Sequence, residues 1–279
     1  MERLQVLGLC RFSYPSAPGA FDDGGETLEA LRARLYAPRR LALRFLWFEH
    51  VALPCLRRQT DPDFRLILLA GEGLPAEWRA RLEALVADVP QIVPLFLPEG
   101  GVHREVCRDA MRAHREPGAH AVAEFRLDDD DAVADIFVAR ARMVFRHVRQ
   151  LYAMRPRVAV DFSRGILLRA TPAGIDLAPV IAQHWTPGLV TYRTPDDEAS
   201  LLDANHTRLW KTMPELLMPF PPMYVRGAHE DNASDLARRW DRVDRWQAGE
   251  EELRGLAAGT FGLDLPGFEA ALAAWRSAG

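Results

Sequence analysis

Between residues 4 and 154 short apolar runs alternate with segments of helical spacing, and few architectures accept that order. "LQVLGLCRF" (4–12) is an apolar run ending in polar residues and reads as a buried strand. "SYPSAPGAFDDGG" (13–25) is rich in Gly, Pro, Ser and Asp and reads as a loop. Helical patterns follow at about 26–36 and 39–58, the second repeating Leu41, Phe45, Phe48 and Ala52 at spacings of three and four. "DFRLILLAGEG" (63–73) and "QIVPLFL" (91–97) are the next strands, separated by "PAEWRARLEALVAD" (75–88), a helix opened by Pro75. "HREVCRDAMRAHR" (103–115) is a helix, "HAVAEFRL" (120–127) a fourth strand, and "DIFVARARMVFRHVRQLYAM" (135–154) a long helix. This order predicts an α/β fold with a mostly parallel sheet and helices on both faces. Ligands of such sheets bind beyond the carboxyl ends of the strands.

After residue 155 the pattern changes. "RVAVDF" and "RGILLRA" predict a strand pair around Ser163–Gly165, and "LVTYR" (189–193) predicts another strand. The stretch 205–235 is irregular and carries Pro214, Pro219, Pro221 and Pro222. Residues 236–279 predict two or three amphipathic helices bearing Trp240, Trp246 and Trp275. With no linker in view, residues 1–235 read as the main domain and 236–279 as a helical extension packed on it.

The bulk composition removes several functions. The chain has 279 residues and a net charge of −4, so it lacks the basic field that nucleic-acid binding uses. Its three cysteines, Cys10, Cys55 and Cys107, are odd in number and widely spaced, against a disulfide framework or a zinc site. No apolar stretch is long enough to span a bilayer, and the first run lacks a signal-peptide cleavage pattern. The expectation is a cytoplasmic protein, with peripheral membrane contact left open.

Against that near-neutral background "FRLDDDDAV" (125–133) places four aspartates directly after the fourth strand. Neighbouring carboxylates repel, so the run is either a solvated turn or the seat of something positive. In an extended chain residues two apart share a side, so Asp128 and Asp130 can turn toward one point. Hard oxygen ligands suit Mg²⁺ or Mn²⁺, which commonly bridge a carboxylate and substrate phosphates. Asp131 is expected to cap the next helix. An EF-hand loop starting at Asp128 needs Gly and Glu where Val133 and Ala139 stand. An aspartyl-phosphate phosphatase carries its acidic pair after the first strand, whereas this run is mid-chain.

Four motifs in order, "CRFSY", "QTDPDF", "FRLDDDDAV" and "GAHEDNAS", resemble those of the rhamnosyltransferase family of GT-A-type glycosyltransferases over about residues 4–235. The resemblance implies a GT-A-like, Rossmann-type fold with a C-terminal helical elaboration. It implies a nucleotide-sugar donor, dTDP-rhamnose among the candidates, and a glycan or other hydroxyl acceptor. It also implies Mn²⁺ or Mg²⁺ held by Asp128 and Asp130, with Asp129 the variable position of the motif, and transfer with inversion. An acid late in the chain is the base of resembling enzymes, which makes Asp231 the first candidate and Glu230 the second. His229 is a candidate ligand of the metal or diphosphate. Arg11 and Phe12 end the first strand, where the donor's base or phosphates lie. Arg126 and Asp128 face the donor, Arg126 also serving as counter-charge. Where related enzymes carry an acidic pair after the second strand, this chain has only Glu72.

"NHTRLWK" (205–211) offers Trp210 either to a sugar face or to the core. Two alternatives compete with the transferase. A non-catalytic carbohydrate- or metal-binding protein on this fold would not need the intact Asp128, Asp130 and Glu230–Asp231. A nucleotidyltransferase usually carries a basic Gly-rich loop after its first strand, and "FSYPSAPGAFDDGG" has no basic residue.

Overall fold

The computed structural model describes residues 3–17, 26–229, 231 and 240–278. The chain runs β1 (Leu4–Arg11), α1 (Leu28–Leu35), α2 (Pro38–Trp47), α3 (Leu53–Arg57), β2 (Arg65–Gly71), α4 (Ala76–Val86), β3 (Ile92–Leu97), α5 (His103–Ala113), β4 (Ala121–Asp128), β5 (Ala132–Val133) and α6 (Phe137–Met154). It continues with β6 (Arg157–Asp161), β7 (Arg164–Thr171), β8 (Gly174–Ile181), β9 (Leu189–Arg193), β10 (Glu215–Leu217), β11 (Tyr224–Ala228), α7 (Glu250–Gly259) and α8 (Leu265–Ser277). Every element expected before residue 155 is present. The single helix expected over 39–58 is α2 and α3 joined by a π-helical turn, Phe48–Ala52. Pro54 has no N–H to give to a carbonyl four residues back, and a widened turn accommodates that loss.

Seven strands form the main sheet in the order β10-β6-β9-β4-β1-β2-β3. All neighbours are parallel except β9, which runs antiparallel to β4 and β6. Strand alternation divides the core. Val6, Cys10, Leu66 and Leu68 join the cluster that includes residues of α2, α3, α4 and α6. Leu7, Leu9, Ile67 and Leu69 pack with Cys107 and Met111 of α5.

A second sheet, β5-β11-β7-β8, was not foreseen. The expected pairing of "RVAVDF" with "RGILLRA" does not occur, since β6 stays in the main sheet while β7 pairs with β8 and β11. Asp161–Arg164 is therefore a crossing between sheets and not a hairpin. Strands β8, β10 and β11 are short or interrupted by proline, which hides their periodicity.

Residues 250–277 form two α-helices. Leu253, Phe261, Phe268 and Leu272 join the principal core, and the Phe268 ring meets Trp47 edge-on at 4.9 Å. Among the described residues no helix is long and apolar enough to cross a membrane.

Candidate active site

Arg11 ends β1 and Asp128 ends β4, and the two are direct partners across the parallel ladder. Alternation puts Arg126 on the same face as Asp128. Its Nε and Nη2 both donate to Asp128 Oδ1, at 3.0 and 2.7 Å. Asp128 Oδ2 has no partner among the described residues. Burial and Asp130 push the Asp128 carboxyl up, but Arg126 and Arg11 together outweigh them and the net shift is downward. Burial, with Arg126 alongside, lowers Arg11 to about 10. His103, the first residue of α5, is lowered to about 3 by burial and by Arg11 and Arg126, so it stays neutral.

The next three aspartates turn elsewhere. Asp129 is buried and forms a two-pronged pair with Arg44 of α2, whose Nε lies 2.9 Å from Oδ2 while Nη2 meets Oδ1. Asp130 Oδ2 lies 3.1 Å from His229 Nε2 and 3.6 Å from Arg44 Nη1. Burial pushes Asp130 up, yet Arg44 and His229 hold it well below the usual carboxylate range. Asp131 is shifted well upward, by burial first and then by Asp130. Its Oδ1 accepts from Gly227 N at 2.9 Å, and Oδ2 is buried without a partner. Asp131 is thus no helix cap. It fastens β11 to the acidic loop, because β5 intervenes before α6 begins at Phe137.

That fastening needs Gly227. A Cβ there would meet the Asp130 carbonyl oxygen at 2.3 Å, so only glycine allows the backbones so close.

The other expected residues fall into place as follows. Phe12 turns away from Arg11, as strand alternation requires. Its ring is fully buried against Phe45 and Phe48, at 4.9 and 5.7 Å, and it does not line the site. Glu72 is exposed just after β2. His229 is buried, stacks on Trp47 at 4.7 Å and accepts from Asp231 N through Nδ1. Its Nε2 stands between Arg44 Nη1, at 2.9 Å, and Asp130 Oδ2, at 3.1 Å. Both ring nitrogens are therefore engaged within the protein. Asp231 is paired with Arg40, whose Nε lies 3.1 and 3.0 Å from its two oxygens. Glu230 lies outside the described residues. Trp210 is 64% exposed.

Among the described residues no three His, Cys, Asp or Glu side chains converge as a metal cage. A dication that bridges a phosphate needs only one or two carboxylates, water and the phosphate completing its shell. The unpartnered Oδ2 of Asp128, at the open edge of the sheet, fits that kind of site.

Sequence reading missed Arg40 and Arg44. Arg44 had a signal, being a charged residue on the apolar stripe of Leu41, Phe45 and Phe48. Arg226, on β11, lies over the Trp185 ring at 5.0 Å and helps lower Asp130.

The model of the family described as "Putative rhamnosyl transferase" matches residues 5–239. The chain belongs to that family. The match reaches from β1 past β11, so this rhamnosyl transferase family member carries the acidic run and the His229–Asp231 segment within the matched region, with α7 and α8 beyond it. No curated protein matches. Among solved structures it is similar to S. aureus TarS, at 10% identity and a TM-score of 0.41, covering 98% of this chain and 43% of that one. It is also similar to residues 1–349 of TarS in complex with UDP-GlcNAc, at 10% identity, 83% and 60% coverage and a TM-score of 0.39. A third is a "putative nucleotide-diphospho-sugar transferase" from Desulfovibrio desulfuricans G20, at 12% identity, 92% and 96% coverage and a TM-score of 0.35. The chain spans less than two thirds of the TarS structures named here.

Proposed function

We propose that this chain transfers a sugar, with rhamnose from dTDP-rhamnose the first candidate, from a nucleotide-diphosphate donor to an acceptor hydroxyl. The observation that carries this reading is the position of Asp128. It stands at the carboxyl edge of a mostly parallel sheet, beside the end of β1, with Arg11 and Arg126 on the same face. Ligands of such sheets bind at that edge, and two arginines suit a diphosphate.

Asp128 would hold Mn²⁺ or Mg²⁺, with Asp130 adding its negative charge close by. When bound, the ion would supply Lewis-acid stabilisation of the leaving diphosphate. Arg11 and Arg126 orient the diphosphate and spread its charge. His229 and Arg44 keep Asp130 ionised and fixed. Asp231, steadied by Arg40, takes the proton of the attacking hydroxyl. With one carboxylate as base and no nucleophile placed independently of the metal among the described residues, the sugar transfers by single displacement and its anomeric configuration inverts.

Calorimetric titration with a panel of nucleoside diphosphates, with and without Mn²⁺, tests the donor site. The expected result is binding of one nucleotide that requires the metal. No response to any nucleotide would remove the transferase reading. Proton NMR of the newly formed linkage tests inversion, and retention of the donor configuration would rule out single displacement. Asp231→Asn is expected to leave nucleotide binding intact and to lower transfer by roughly 10²–10⁴-fold. Transfer at the wild-type rate would clear Asp231 of the base's role.

A further inference from the structure

A second polar cluster stands at the same edge of the sheet. β9 links it to β4, since Val190 faces Phe125 on one side and Val160 on the other. Asp161 ends β6 one residue beyond that level, which is the level of Arg126 on β4. Two strand spacings, about 10 Å, separate β6 from β4.

His184 sits against Asp161 and Glu215. Its backbone N donates to Asp161 Oδ2 at 2.6 Å, and its Nε2 lies 2.9 Å from Glu215 Oε2. A carboxylate only accepts, so Nε2 carries a proton and Nδ1 is the ring nitrogen left for a ligand. No described residue donates to that Nδ1. Glu215 Oε1 and Asp161 Oδ1 are buried acceptors that also lack a donor. The His184 backbone has φ of 61°, in the left-handed region that a non-glycine residue adopts at a cost. The His184 and Glu215 side chains are 11% and 14% exposed, so the pair opens on the surface.

The chain also ties this cluster to the acidic run. Trp185 lies under Arg226, which acts on Asp130 and Asp131. His206 feels Arg126, Arg226, His184 and Asp128 together. With the carboxylates behind it buried, His184 Nδ1 is the polar atom of the cluster left for a ligand, and a hydroxyl, which both donates and accepts, suits it.

We propose that His184, oriented by Glu215, binds a hydroxyl of a saccharide acceptor through Nδ1, two strands from the donor's diphosphate. This rests on the transferase reading above. His184 then sets acceptor position and specificity, while proton removal stays with Asp231.

The test uses the full chain with Mn²⁺ and dTDP, and methyl glycosides of rhamnose, glucose, galactose and N-acetylglucosamine as probes. Saturation-transfer NMR reads glycoside binding, and calorimetry reads dTDP. Asparagine tolerates φ above zero, so His184→Asn should fold while losing the imidazole. Wild type should show transfer to at least one glycoside. In His184→Asn that signal should weaken about five-fold, the loss expected for one hydrogen bond, with dTDP affinity unchanged. Glu215→Gln, which no longer fixes the tautomer, should weaken it in the same direction. An equal signal in wild type and His184→Asn overturns the proposal, as does a wild type that binds none of the glycosides. Failure of wild type to bind dTDP is a different result and counts against the donor reading.

Discussion

Four consecutive aspartates tolerate one another because each has its own surroundings. Asp128 leans on Arg126, Asp129 on Arg44, Asp130 on His229, and Asp131 on the Gly227 amide. Replacing Asp128 by Asn removes charge at the open edge and little packing. Its stability should change by about 1 kcal/mol or less, while Mn²⁺-dependent nucleotide binding should be lost in calorimetry. Asp161 gives a separate prediction at this scale. Burial raises its pKa from 3.8 to about 6, against the pull of the His184 amide, with Glu215 pushing the same way. The folded state therefore keeps the proton to higher pH than the unfolded chain. The cost is absent below pH 3.8, grows as pH rises through 6, and reaches about 3 kcal/mol above it. Asp161→Asn should thus gain stability relative to wild type at pH 8 but not near pH 4. Urea unfolding at both values checks it, and an equal change at both would refute the assignment.

At the scale of elements, α2 and the acidic loop are bound by a buried ion pair. Arg44 and Asp129 side chains are 10% and 3% exposed. Such a pair contributes little beyond an apolar replacement, yet breaking it strands a buried charge. Arg44→Met should therefore cost about 3–5 kcal/mol. The double variant Arg44→Met/Asp129→Leu should recover most of that loss. Denaturant midpoints of wild type, the two single variants and the double variant decide it. If the double variant is no more stable than Arg44→Met, the pair is not what the loss reflects.

At the scale of the molecule, the C-terminal helices complete the core that backs the site. Phe268 closes over Trp47, the ring on which His229 rests, so α8 reaches Asp130 through two aromatic contacts. Leu253, Phe261, Phe268 and Leu272 are all buried. At about 1.5–3 kcal/mol for each such side chain, removing residues 250–279 should forfeit an amount comparable to a typical domain's whole stability. The shortened chain should lack a cooperative thermal transition. A sharp transition within a few degrees of wild type would show that the matched region, 5–239, folds without them.

The sequence by itself determined the parts whose causes are local. Apolar runs and helical spacing marked the strands and helices up to Met154, apart from the two-residue β5 and the break between α2 and α3, because periodicity is a property of neighbouring residues. The position of the acidic run after the fourth strand was legible for the same reason. The tertiary structure alone decided what each charge does. Arg44 meets Asp129 across 85 positions of chain, and His229 meets Asp130 across 99. Neither pairing has a local signature. It likewise moved Phe12 to the core, separated "RVAVDF" from "RGILLRA", and joined His184 to Glu215 across 31 residues. These depend on which strands become neighbours, and long-range packing, not the local pattern, sets that order.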